Sequence, residues 1–395
     1  MANWKKCTIS ELGTVVGGAT PSTKIVENYE GGNIAWITPK DLAGLSGRFI
    51  SRGERNITEQ GLKSCSTQMM PAHSILFSSR APIGYIAIAE NELCTNQGFK
   101  SVVPNNNTDY MFLYYLLKYN KEKIENLGSG TTFKEVSGNT MRNVEVSVPE
   151  SIEEQRRIAM VLSLLDDKIE INQKINDNLQ AQARALYKAW FVDYLPFGGS
   201  QPDSWKPGKL KDVISLKRNT IKAGENTELP YLPIDVIPMN TFALSDVKPN
   251  EEAQSSLITF DKDDIIIGAM RVYFHRVIIA PFAGITRTTC FTLSPMDKSY
   301  QCFGLLCCDQ DSSIEYAQTT SKGSTMPYAV WDRGLGDMDI IIPDKDTANE
   351  FNEVVMPMIR TIQSSYEEIK HLRDIRDTLL PRLMSGEIDI SDLGF

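Results

Sequence analysis

Short runs of alternating apolar and polar residues fill most of this chain, and in two places they give way to a long helical period. Strand-like runs occur at Ser74–Arg80 and Gly84–Ala89, and again at Asp264–Arg271 and Val277–Ala280. From Ile152 to Tyr194 there is neither Pro nor Gly. Leu162, Leu165, Ile169, Asn172, Asn176, Leu179, Ala183, Leu186 and Trp190 recur there at spacings of three and four, a heptad seam. Ser151 followed by Glu154 predicts a capping-box start. Adding 193 to the last seven seam positions gives Ile362, Ser365, Ile369, Leu372, Arg376, Leu379 and Leu383, so a second helix shares the register. Pro357 is expected to kink or interrupt it. A helix of about 43 residues would span roughly 65 Å and expose a row of Leu and Ile unless partnered. The expected partner is the second helix, paired antiparallel, with Asn172, Asn176, Ser365 and Arg376 fixing register at some cost in stability.

The rest of the chain reads as a duplication. Trp4-Lys5-Lys6 matches Trp205-Lys206-Pro207, and Ile9–Val16 matches Leu210–Leu216. The two strand-like runs each end in an arginine, Arg80 and Arg271. Gly130-Thr131-Thr132 matches Gly323-Ser324-Thr325, and Val144–Pro149 matches Met338–Pro343. Five matches in one order make two similar heads. Tyr110–Asn126 predicts a helix with an aromatic stripe at Phe112, Tyr115 and Tyr119. Leu195–Pro202 reads as a linker. The expected fold is α+β: two similar mixed α/β heads, 1–150 and 196–345, with spacer helices at 151–195 and 346–395 forming an antiparallel coiled coil.

Composition narrows the function classes. Of the 395 residues, 41 are Lys or Arg and 50 are Asp or Glu, a formal charge of −9, which argues against a polybasic binder. The acidity is uneven: residues 1–150 carry a net +1, whereas 201–345 carry −4 and 346–395 carry −5. Any affinity for nucleic acid must come from local clusters or a more basic partner. No apolar run is long enough for a membrane span, and the first residues lack a signal-peptide core, so a cytosolic protein is expected. The seven cysteines show no Cys-x-x-Cys spacing, and Cys307-Cys308 sits in a core-like run. With three histidines, neither a disulfide framework nor a metal site is expected.

Two heads at a set spacing suit a long ligand with two sites, and duplex DNA is the natural one. The stretch Gly17–Lys24, with Thr20, Ser22 and Lys24, offers hydroxyls and a cation for phosphates. Lys217, Arg218 and Lys222 hold the equivalent place in the second head. Arg80 and Arg271 could reach guanine, and Asn96 and Gln97 could read adenine. Tyr273, His275 and Arg287 add a polar-aromatic patch. Ser129, Thr131, Thr132 and Lys134 match Lys322, Ser324 and Thr325 as hydroxyl-rich loops. Each of these residues alone also fits an ordinary solvated loop or a salt-bridged arginine. No P-loop, Asn/Asp-Pro-Pro-Tyr/Phe, His-Glu-x-x-His or Gly-x-Ser-x-Gly occurs, which favours recognition over catalysis.

The run Val148-Pro149-Glu150-Ser151-Ile152-Glu153-Glu154-Gln155-Arg156-Arg157-Ile158-Ala159 resembles the start of the central helix in specificity subunits of type I restriction–modification enzymes. Gly17–Ser22 and Trp36–Leu42, which contains Lys40, are similar to the opening of that family's first target-recognition domain. Leu372–Ile388 looks like its distal helix, whereas the second half lacks a clear Glu-Glu-Gln. The resemblance implies that each head reads half of a bipartite DNA site and that the helices set the gap. It implies two methyltransferase subunits carrying S-adenosylmethionine, and motor/nuclease subunits using ATP and magnesium, with no cofactor on this chain. The other readings are a non-catalytic two-headed scaffold that does not act on DNA, and an enzyme fused to its recognition domains.

Overall fold

The computed structural model describes residues 3–45, 47–130, 134–225, 228–244 and 246–390. The chain divides into two compact units, Met1–Glu170 with Leu372–Phe395, and Ile171–His371. Each of the two long helices, Ile152–Phe191 and Lys345–Met384, contributes residues to both units. Lys345–Met384 runs through Pro357 as one continuous helix, so the expected interruption does not occur.

The first unit is built on a five-stranded sheet. Its order is Gly13–Gly17, Lys100–Pro104, Ile75–Ser79, Ile83–Ala89, Phe49–Ile50. All neighbours are antiparallel except the last pair. Strand Trp4–Thr8 pairs separately with Glu145–Pro149. Helices Tyr110–Tyr119 and Lys121–Asn126 replace the single expected one, with the break at Asn120. Phe112 and Tyr115 are fully buried, but Tyr119 is exposed. Trp36–Ile37 and Cys94–Thr95 form a small parallel pair.

The second unit repeats the central topology: Ile214–Leu216, Cys290–Pro295, Ile265–Gly268, Val277–Ile279. Lys206–Lys209 pairs with Asp339–Ile342. Lys5 faces Val148 and Lys206 faces Ile342, each pair one residue inside the Trp and Pro that mark the duplication. Helices Gln301–Cys308 and Asp311–Thr319 match the helical pair of the first unit, and Cys307 and Cys308 are buried as expected. Where the first unit has its small parallel pair, the second carries a three-stranded sheet, Thr220–Ile221, Leu257–Phe260 and Gly284–Arg287. The cores of the heads are duplicated and their outer parts diverge.

The heptad seam holds within each unit. In the first, Leu162 and Leu383 are buried in one cluster with Ile158, Ala159 and Leu380, and Leu379 packs on it. Leu165 is half-buried, Leu372 likewise, and Ile169 is buried. Arg376 Nη1 donates to Asp166 Oδ1 at 2.7 Å, and Tyr115 Oη donates to Asp166 Oδ2 at 2.7 Å. In the second unit, Ser365 Oγ donates to Asn176 Oδ1 at 2.6 Å, and the Phe191 ring lies 4.8 Å from that of Phe351. Partners fall along one helix as they rise along the other, so the segments run antiparallel. Leu179 and Leu186 pack on the core here, and Ile369 is buried.

Each head grips its helix through charge. Arg48, almost fully buried, donates through Nε to Glu170 at 2.8 Å and is paired with Asp167. In the second unit, Arg360 Nη2 donates to Asp263 Oδ2 at 2.8 Å, and Gln363 Nε2 reaches Asp263 Oδ1 at 3.1 Å. The helix start departs from a Ser151–Glu154 box: the Glu153 amide donates to Ser151 Oγ at 3.2 Å. Glu154 instead pairs with Arg157. Buried Gln155 accepts from the Asp109 amide at 3.0 Å and donates to Pro149 O at 3.2 Å. The Glu-Glu-Gln run thus caps the helix, pairs along it and pins it to the head.

Candidate nucleic-acid interface

In the first unit the expected residues converge on the ends of three strands. The Gly17–Lys24 stretch lies against the Thr95–Gly98 turn, where the Ala19 amide donates to Thr95 O at 3.1 Å. A Cβ at Gly18 would sit 2.1 Å from Thr95 O and 2.3 Å from Asn96 O, so only glycine fits there. Trp36 Nε1 donates to Ala19 O at 3.1 Å, and Tyr29 Oη to Pro21 O at 2.6 Å. These bonds fix a loop whose Thr20, Ser22 and Lys24 side chains stay exposed. Thr20 Oγ1 donates to Gln97 Oε1, which joins that loop to the Asn96-Gln97 turn. Asn96 Oδ1 accepts from the Gly98 amide at 2.8 Å, holding the turn and using one of its acceptors. Gly98 O accepts from the Ser79 amide at 2.7 Å, and Ser79 O from the Val136 amide at 3.0 Å, so Arg80 and Lys134 adjoin the same site.

Charge sorts these residues. Lys40 is exposed but paired with Glu54 at 2.6 Å. Arg80 is half-buried and 3.5 Å from Glu135, which also takes Lys100 at 3.5 Å. Lys24 and Lys134 are exposed with no carboxylate in ion-pair range among the described residues. Thr131 and Thr132 lie outside the described residues.

In the second unit two patches form. Lys322 exchanges backbone hydrogen bonds with Tyr328, both 2.9 Å, closing a hairpin with Ser324 and Thr325 at its exposed tip. The Arg271 amide donates to Pro327 O at 2.8 Å, which sets that hairpin beside Arg271 and Tyr273. The second patch joins Lys222 and Arg287. Both flank Ser255-Ser256 across the three-stranded sheet, and Arg287 Nη2 donates to Ser255 Oγ at 3.3 Å. Arg218 is spent on Asp332 at 2.6 Å, and Lys217 on Asp261 and Asp264.

Two expectations need correcting. His275 is not a surface reader. It is buried, with Nε2 3.0 Å from Asp309 and Nδ1 3.5 Å from Asp311, and Asp309 also receives Arg184. The pairing of Arg80 with Arg271 is also one residue out. The Val136–Ser79 bond has its counterpart in Ala329–Ala269, and Ala81 and Arg271 share a left-handed φ of 50°. Arg271 is therefore the counterpart of Ala81, and the second head gains an arginine that the first lacks there. Sequence reasoning passed over Met326 and Tyr328 beside these contacts; the 193-residue offset that links Thr132 to Thr325 also links Phe133 to Met326.

A model described as type I restriction modification DNA specificity domain matches residues 1–181. The type I restriction enzyme MjaIX specificity subunit of Methanocaldococcus jannaschii is 35% identical, over 99% of this chain and 95% of its own. The HindI specificity subunit of Haemophilus influenzae is 22% identical, over 98% of this chain and all of its own (100%). Among solved structures, a type I restriction-modification S subunit from M. genitalium superposes with a TM-score of 0.60 at 18% identity, covering 97% of this chain and 96% of that one. It shares the fold.

Proposed function

The chain belongs to the specificity subunits of type I restriction–modification enzymes, and from that premise we propose that it is the DNA-reading, non-catalytic subunit of such a complex. Each head reads one half of a bipartite duplex site, and the long helices set the gap between the halves. Two methyltransferase subunits dock on those helices, bring S-adenosylmethionine and methylate adenine in each half-site. Motor/nuclease subunits join for restriction and use ATP and magnesium. The whole complex works in the cytosol; no helix among the described residues is long and apolar enough to cross a membrane. Met160 and Leu164 in the first unit, and Ile171 and Ile175 in the second, are exposed apolar residues of the first long helix, and each pair suits a docked subunit.

One observation carries the reading: two copies of one core topology, each placing cations with no carboxylate in ion-pair range among the described residues beside matching backbone bridges, Lys134 in the first head and Arg271 and Lys322 in the second. Phosphate contacts position such a protein and base edges give it sequence. The test is methylome sequencing of cells with and without this chain. A two-part motif that appears only with the chain is expected. Replacing residues 1–150 by those of a relative should change one half only. A change in both halves, or no motif at all, refutes the proposal.

A further inference from the structure

The hairpin Lys322–Tyr328 carries more than phosphate ligands. Its base is fixed: the Ala329 amide donates to Ala269 O and the Arg271 amide to Pro327 O, both 2.8 Å. Gly323 turns the chain at a φ of 87°, a conformation that disfavours side chains. On this braced base Met326 is 52% exposed, Tyr328 47% and Tyr273 45%. Met326 stands on the hairpin, Tyr328 at its base and Tyr273 two residues from the Arg271–Pro327 bond, and exposed large apolar side chains so placed indicate a contact. Charge says with what. Arg271 and Lys322 are exposed, and neither has a carboxylate in ion-pair range among the described residues, whereas Lys217 and Arg218 are both neutralised. Unpaired cations flanking an apolar tip complement a polyanion that offers apolar surface between its charges, as stacked bases do between phosphates.

We propose that Met326 is a wedge that enters the duplex at one base step of the half-site read by the second head. Arg271 and Lys322 hold the adjacent phosphates, and Tyr273 and Tyr328 cover the backbone on either side. Met is unbranched and adaptable, which suits insertion between bases. Gly323, Ser324 and Pro327 keep the tip narrow. The wedge favours easily unstacked pyrimidine–purine steps, so this head gains sequence preference without a hydrogen bond to a base. This deepens the DNA-reading role and rests on it.

The experiment uses the assembled complex with its methyltransferase subunits and a duplex carrying the site found by methylome sequencing. 2-Aminopurine is placed in turn at each position of that half-site other than the methylated adenine. With the native chain, fluorescence rises severalfold at one step. Met326→Ala abolishes the rise and weakens binding about tenfold, while Met326→Leu keeps both. Arg271→Gln and Lys322→Gln keep the rise but each lower the slope of log affinity against log salt by about 0.9. Met326 is exposed, so melting temperatures of the variants should match the native value. A fluorescence pattern and affinity unchanged in Met326→Ala overturn the wedge and leave the DNA-reading role standing. Failure of the native complex to bind any duplex overturns both.

Discussion

Arg376→Ala tests whether the polar seam holds the helices in register within the first unit. The Arg376 side chain is 14% exposed and that of Asp166 6%, and they meet at 2.7 Å. Removing the guanidinium leaves a buried carboxylate to which the Tyr115 hydroxyl still donates. Breaking a buried pair from one side costs about 3–5 kcal/mol, and the retained Tyr115 bond puts the expectation near the lower end, about 3 kcal/mol. For a unit of this size each kcal/mol moves Tm by about 2–4 °C, so roughly 6–12 °C is expected. Scanning calorimetry reads it, because melting of the first unit should move while that of the second stays. The double variant Asp166→Leu/Arg376→Met removes both charges and should recover most of the loss. A single-variant shift below about 2 °C, or a double variant no better than the single, would refute the pair as a buried lock.

The second unit offers a pH test. Burial pushes the Asp263 carboxyl up, but the bonds from Arg360 and Gln363 outweigh it and hold the group below its usual value. Stability from a lowered carboxylate is present above the unfolded value of about 4 and is lost as pH falls through the folded one. Arg360→Ala should therefore be less stable at pH 7, with the gap closing below pH ~4; urea midpoints across that range that stay equally separated would contradict it. Thiol labelling is a second check. Burial pushes Cys302 up to about 12 and Cys94, Cys290 and Cys307 up to about 11, so each stays protonated and shielded at pH 8. Half-buried Cys65 should react alone in the native chain, and rapid loss of several thiols would refute that packing. Gly18→Ala should lower Tm by an amount equivalent to about 1–3 kcal/mol, since two backbone carbonyls block the new methyl, and should weaken methylation of the first half-site. Unchanged values of both would mean the loop shifts freely.

Much of the fold was legible because it rests on periodicity. Heptad spacing from Leu162 to Trp190 specified a buried face, and the same spacing 193 residues on specified its match. The match of Trp4-Lys5-Lys6 to Trp205-Lys206-Pro207 marked the duplication, though not that both segments are strands, Trp4–Thr8 and Lys206–Lys209. Pro357 misled because a proline inside a helix removes one hydrogen bond and crowds the preceding turn, yet the helix continues through it while Phe351, Val355, Ile359 and Ile362 pack on the core on either side. Tyr119 misled because the chain turns at Asn120 and carries the end of the stripe out of the core.

The interface was less legible, and the reason is electrostatic. A sequence shows a lysine or arginine but not whether a carboxylate far along the chain meets it. Arg218 finds Asp332, Arg80 finds Glu135, and His275 finds Asp309, each across 34 to 114 residues. Such partners are brought by topology, so composition cannot separate a neutralised cation from a free one. Charge left after pairing is what a phosphate can use. By that measure Lys24, Lys134, Lys222, Arg271, Arg287 and Lys322 outrank Lys40, Arg80 and Arg218, although all look alike in the sequence. Glutamine at Lys40 should barely move the salt slope of duplex binding, whereas glutamine at Lys24 should lower it by about 0.9. Equal slopes in the two variants would show that Glu54 releases Lys40 to the DNA, and that ion pairing in the free chain does not select the contacts.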